Sequence, residues 1–168
     1  MGTKTLMSVE EYLHTSFDGA DREYLDGEVV ERNMGNDSHS AVQVEFAFRF
    51  RLHKDRTGLQ VRTELRHRVS EKRFRIPDVA VFEGKPGQQV PSTPPLVAIE
   101  ILSPDDRIGY IIPKLEEYRA WGVPHIWVAD PEDRKCFTYG EPGLHEVTEF
   151  RLPQYEIVLT LTDIFGEA

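Results

Sequence analysis

The sequence predicts a mixed α/β layer architecture, ordered helix, three strands, helix and strand, with a hairpin before it and a β-rich tail after it. Three observations lead there. Residues 77–82 and 96–102 are near-continuous apolar runs, as expected of strands covered on both faces. Two longer segments, 38–57 and 113–121, each stop at a glycine, Gly58 and Gly122, as helices commonly do. An Asp26-Gly27 pair separates two short runs that contain apolar residues, which is a strong hairpin signal.

Each element has its own justification. Ser8 and Glu11 have capping-box spacing and open a short helix from Val9 to His14. The hairpin arms are Arg22 to Leu25 and Glu28 to Glu31. The next segment reads two ways. Val42, Val44, Phe46, Phe48, Phe50 and Leu52 alternate with the period of a strand. Asp37 or Ser38, however, makes a good N-cap, Gly58 a good stop, and the run is long for a strand, so a helix over 38–57 is the reading adopted. Such a helix carries two apolar stripes, Val42-Phe46-Phe50 and Val44-Phe48-Leu52, and needs cover for both, one from a sheet and one from another body such as a second subunit. Leu59 to Val69 then reads as one strand, Pro77 to Phe82 as the next and Leu96 to Leu102 as the third, after a Gly/Pro-rich loop from Gly84 to Pro95. Pro113 suits the first turn of the second helix. Val123 to Asp130 gives a fourth core strand, ended by Pro131, and the tail has short strands near Cys136–Tyr139 and Leu144–Phe150.

Length and composition bound the function. A chain of 168 residues suits one domain over 1–168 with a single core. Its one cysteine excludes an internal disulfide and a Cys-based zinc site, and a reducing, cytoplasmic setting is expected. No apolar run approaches the ~18 residues of a membrane span, and the first residues, MGTKTLMSVEEYL, lack the apolar core of a signal peptide. No membrane partner is therefore expected. The net charge of -9 argues against nonspecific coating of nucleic acid. Between Arg49 and Arg75, however, ten Lys/Arg face three acids, a local +7 that leaves -16 for the rest. A phosphate-contacting enzyme could use such a segment; solvated strand faces and a helix end account for it equally well.

The chemistry centres on two carboxylates. Asp78 heads one apolar strand and Glu100 lies 22 residues later within another. A carboxylate inside a buried strand is costly unless it is paired or neutralised. Two of them on neighbouring strands could share a divalent cation, and their hard oxygens favour Mg²⁺ or Mn²⁺. Lys114 could set an ammonium beside the same place, where it would stabilise developing phosphate charge. The bland alternative is a pair of strand-end acids bridged to arginines.

Five segments carry a resemblance: REYLDGEVVE (22–31), His39 opening a helix, IPDVAVFE (76–83), LVAIEILSPDDR (96–107) and KLEEYRAWGVPHIWVADPE (114–132). In this order they resemble the Uma-two family of small bacterial restriction-type endonucleases, within the PD-(D/E)-x-K nuclease superfamily. The resemblance implies a restriction-endonuclease-like α-β-β-β-α-β core with an N-terminal helix and β-hairpin and a β-rich C-terminal tail, in which 38–57 is the first core helix. It implies that Asp78 and Glu100 are metal ligands for Mg²⁺ or Mn²⁺. The superfamily's lysine normally follows the acid by two residues, where this chain has Leu102. The resemblance instead assigns the role to Lys114 on the following helix. Glu23 matches the family acid before the DG turn, as a further ligand or as a cross-strand partner of an arginine. His39 matches a family histidine and could contact phosphate, act in acid–base work, or simply sit near a helix cap. Asp130, Ser103 and Asp105 read as loop formers, Asp106 and Arg107 as a pair or a phosphate contact, Glu45 as a weak extra acid, and Tyr118, Trp121 and Trp127 as core aromatics.

The expected function is a Mg²⁺-dependent endonuclease that hydrolyses DNA phosphodiester bonds, with the Arg49–Arg75 segment near the backbone. Two alternatives stay open: a nuclease-fold protein that binds nucleic acid or a protein partner without cleaving, and a hydrolase of another phosphoester. A homodimer is expected from the two-striped helix and from the need to reach both strands of a duplex.

Overall fold

A computed structural model describes residues 6–106 and 108–167. In chain order the elements are α1 (Val9–His14), β1 (Glu23–Leu25), β2 (Glu28–Val30), α2 (Asp37–Leu52), α3 (Lys54–Thr57), β3 (Leu59–Thr63), β4 (His67–Ser70), β5 (Arg73–Arg75), β6 (Val79–Glu83), β7 (Val97–Ile101), α4 (Ile108–Trp121), β8 (His125–Asp130), β9 (Lys135–Gly140), β10 (Gly143–Val147), β11 (Glu149–Leu152), β12 (Ile157–Thr160) and α5 (Leu161–Phe165).

The central sheet has six strands in the order β10-β9-β8-β7-β6-β3. Its β7–β8 pair is parallel and is connected through α4, whereas the other pairs are antiparallel. Residue alternation along β7 divides the core between two helices. Val97, Ile99 and Ile101 join Val42, Phe46 and Phe50 of α2, and Ala98 joins Ile111, Leu115 and Tyr118 of α4. This two-sided cover explains why β6 and β7 read as unbroken apolar runs. On the α2 side the β11–β12 hairpin and α5 close the core, where Trp127 stacks on Phe150 with ring centroids 4.4 Å apart. A second sheet, β2-β1-β5-β4, is covered by α1 through Tyr12, Tyr24 and Phe74. The Asp26-Gly27 turn between β1 and β2 forms as expected, with both residues at positive φ (53° and 103°).

The structure corrects several boundaries. The 38–57 helix breaks after Leu52 into α2 and the single turn α3, and its N-cap is Asn36, whose side chain accepts from His39 N. Gly58 ends α3 in the left-handed conformation (φ 73°), as its sequence position suggested. The single strand expected over 59–69 is two strands in different sheets, because the chain turns at Glu64 (φ 53°). The second core helix does not begin at Pro113: α4 runs from Ile108 and Pro113 lies in its interior. Proline there removes the bond to the carbonyl of residue 109, an exposed glycine. The expected 144–150 strand is divided between β10 and β11 of separate sheets. Strands β5 and β12 and helix α5 were not anticipated; each is five residues or fewer, too short for periodicity to stand out.

Candidate active site

The β6–β7 register places the two carboxylates. Val79 pairs with Ile99, so extending the ladder by one residue sets Asp78 opposite Glu100. Directly opposite residues share a sheet face. Both side chains are buried, at 4% and 5% exposure. Their charge is met by Lys114 of α4, by His39 of α2 and by Arg32 between β2 and α2.

Helix α4 supplies the first partners. Lys114 and Tyr118 are four residues apart and lie on one helix face. The Lys114 ammonium sits 2.9 Å from Oε1 and from Oε2 of Glu100, and the Tyr118 hydroxyl donates to Oε1 at 2.7 Å. Burial nevertheless pushes the Glu100 carboxyl up to about 7. The hairpin supplies a third buried acid, which shares Lys114 with Glu100. Strand β1 lies against β5, and Glu23 there accepts from the Ile76 amide at 2.9 Å, from Arg75 Nη1 at 2.7 Å and from Lys114 at 2.8 Å. Burial alone would raise Glu23, but Lys114 and Arg75 hold it down at about 2. Lys114 also donates to the Ile76 carbonyl at 3.1 Å, so its three protons have three acceptors. Burial opposes its charge, yet Glu100, Glu23 and Asp78 together raise its affinity for a proton. Arg75 is fixed in turn by a two-bonded contact with Glu117, at 2.9 Å from Nε and 2.8 Å from Nη2.

Asp78 is held from the opposite side. Its Oδ2 accepts from the Ile101 amide at 2.7 Å and lies 3.4 Å from His39 Nε2, near the start of α2. Its Oδ1 accepts from Arg32 Nη2 at 2.9 Å. Burial would raise the Asp78 carboxyl, but His39, Lys114 and Arg32 bring it below its ordinary value. His39 loses hydration yet gains more from Asp78, which raises its pKa.

All five residues singled out in the sequence, Asp78, Glu100, Lys114, Glu23 and His39, line one open cavity of about 490 Å³. Lys114 reaches Glu100 from the next helix, the position the resemblance assigned to it. Among the described residues no three His, Cys, Asp or Glu side chains form a ready-made metal cage. The other candidates divide: Ser103, Asp105 and Asp106 also line this cavity, whereas Glu45 and Asp130 do not. Glu45 pairs with Arg49, Asp130 accepts from the amides of Glu132 and Asp133 as a turn acid, and the Ser103 amide donates to Asp106, which also pairs with Asn33. Arg107 lies outside the described residues. The Arg49–Arg75 segment is not one basic face: Arg49, Arg56, Arg66, Arg73 and Arg75 are all committed to acids.

Sequence reasoning missed Arg32 and Arg75, read Tyr118 as core alone and gave Gln43 no role. Tyr118 carried a usable signal, since it follows Lys114 by one helical turn; it is a buried aromatic with a polar task rather than core alone. Gln43 likewise follows His39 by a turn and donates to the Asp78 carbonyl at 3.0 Å and to Glu64 at 2.7 Å. Arg32 and Arg75 had no local signal, because their partners lie 46 and 52 residues away in the chain.

The model of the Uma2 family, described as "Putative restriction endonuclease", matches residues 9–166. The chain belongs to the Uma2 family. The Uma2 chain is also similar to a solved structure from Anabaena variabilis ATCC 29413, titled as a "putative nuclease belonging to DUF820". The two share 21% identity over 95% of this chain and 98% of the other, with a TM-score of 0.81. At that identity the likeness establishes the fold, which is restriction-endonuclease-like. None of the curated proteins matches. Among the described residues no helix is long and apolar enough to cross a membrane.

Proposed function

We propose that this Uma2 protein is a metal-dependent endonuclease that hydrolyses DNA phosphodiester bonds in the cavity lined by Asp78, Glu100 and Lys114. The observation that carries the reading is the convergence of two buried carboxylates and a buried ammonium on an open cavity, at a cost a purely structural core has no reason to bear. The donor set suits a hard divalent cation: Asp78 and Glu100 would hold Mg²⁺ or Mn²⁺, leaving its other positions to water and phosphate oxygens. Such a cation supplies Lewis acidity toward the phosphodiester. Lys114 then keeps its ammonium at the cavity wall, oriented by Glu23, Glu100 and the Ile76 carbonyl, to stabilise negative charge that develops on phosphate. Tyr118 fixes the Glu100 carboxylate, and His39 holds Asp78 beside the cavity.

Cleavage of supercoiled plasmid in Mg²⁺ or Mn²⁺ tests the reading, with Asp78→Ala and Glu100→Ala proteins prepared identically. Metal-dependent nicking that both substitutions abolish is the expected result; activity that survives them assigns the cleavage to another site. A second reading has its own observation. Asp78, Glu100 and Glu23 already have cationic partners in Arg32, Lys114 and Arg75, as in a nuclease fold turned to binding without cleavage. Titration with Mn²⁺ separates the two, since a non-cleaving binder with permanently paired acids takes up no metal.

A further inference from the structure

Arg32 bridges two carboxylates with unlike surroundings. Its Nη2 donates to buried Asp78 at 2.9 Å, and its Nη1 pairs with Glu64, whose side chain is 43% exposed. Asp78 consequently has a donor on each oxygen: Arg32 on Oδ1, and the Ile101 amide, with His39 nearby, on Oδ2. A carboxylate engaged in this way becomes available to a divalent cation only if one donor yields. The Ile101 amide belongs to β7 and is fixed by the sheet. Arg32 is the donor free to leave. It lies on the irregular segment between β2 and α2, it lines the cavity, and it retains Glu64, which Gln43 holds at 2.7 Å.

We propose that Arg32 occupies a divalent cation's place on Asp78 and, once displaced, swings about Glu64 to become a phosphate ligand of the substrate. This rests on the metal-dependent reading above. The exchange never leaves the buried carboxylate unpaired, because the incoming cation takes over the charge that Arg32 gives up. The planar guanidinium fork fits phosphate as well as it fits carboxylate, so the released group has a partner in the same cavity.

Isothermal titration with Mn²⁺ tests the first half, on the wild type, Asp78→Ala, Arg32→Lys and Arg32→Met. Arg32→Lys keeps the positive charge and so protects the fold, but its shorter side chain ends in a single nitrogen and loses the planar fork that sets Nη2 on Asp78 and Nη1 on Glu64. Both Arg32 variants are expected to bind Mn²⁺ about tenfold more tightly than the wild type. Tightening in Arg32→Met alone would mean simple charge repulsion and overturns the proposal. Equal affinity in all Arg32 forms, with binding lost in Asp78→Ala, also overturns it while the metal reading stands. Absence of Asp78-dependent uptake in every protein overturns both. The second half is read from retention of a short DNA duplex at saturating Mn²⁺. Arg32→Met should weaken it about tenfold despite the tighter metal, and unchanged retention removes Arg32 from the phosphate site.

Discussion

His67 is fully buried where β4, β6 and α4 meet. Its ring stacks on Phe82 at 5.6 Å, meets Trp121 edge-on at 5.9 Å, and donates through Nδ1 to the Leu65 carbonyl at 2.7 Å. Nε2 is the buried side-chain atom left without a hydrogen-bond partner among the described residues. Burial depresses the folded pKa to about 4 from an ordinary 6.5. Protonation therefore favours the unfolded chain, and stability falls as pH drops from about 6.5 to about 4. At about 1.4 kcal/mol per pH unit the loss amounts to roughly 3 kcal/mol. Glu100 works in the opposite sense, since its raised folded value makes the native state take up a proton first. The histidine's part is thus the difference between wild type and His67→Leu in urea unfolding at pH 7 and pH 4.5. The wild type should lose stability relative to His67→Leu over that interval. A constant gap between the two proteins would refute the assignment.

At the scale of the element, the DG hairpin is the piece that brings Glu23 to Lys114. Gly27 adopts φ 103°, and a Cβ there would come within 3.1 Å of Leu6 Cδ2. The Gly27 carbonyl also accepts from the Met7 amide at 2.9 Å, which ties the turn to the segment before α1. Gly27→Ala should cost about 1–2 kcal/mol of backbone strain in urea unfolding, whereas Gly84→Ala, also at positive φ (89°) but in open space, measures the strain without the contact. That hairpin was legible in the sequence because turn chemistry is local, as were α1, β6, β7 and the turn role of Asp130. The break at Glu64 was not legible, since a left-handed glutamate is set by long-range partners: its amide donates to the Asp78 carbonyl at 3.3 Å and its side chain meets Arg32 and Gln43. Pro113 misled for the opposite reason. A strong local rule put it at a helix start, whereas α4 packing keeps the preceding turn helical. The same division runs through the site. Asp78, Glu100 and Lys114 stood out as charges in or beside apolar runs, but Arg32 and Arg75 became visible only once folding joined distant segments.

At the scale of the whole molecule, α2 resolves the ambiguity of its two stripes. Val42, Phe46 and Phe50 are buried on the sheet, while Val44, Phe48 and Leu52 are 63%, 51% and 60% exposed. Single exposed apolar residues are ordinary, but three at i, i+4 and i+8 form a continuous stripe on one helix. The helix packs over β3, the last strand of the central sheet, so the stripe stands at an open side of the molecule. The strand edge itself is blunted, because Arg62 folds back to donate to the Val61 carbonyl at 2.8 Å. The helix face, rather than strand addition, is then the surface offered to a second copy, and a two-fold dimer would also supply the second active site that cutting both strands of a duplex requires. The expected outcome is a dimer mass in sedimentation velocity at micromolar concentration, shifting to a monomer in Phe48→Glu. Because Phe48 is half-exposed in the single chain, that substitution should leave the monomer's own core intact. A wild-type mass of one chain across the micromolar range would leave the stripe without a second copy.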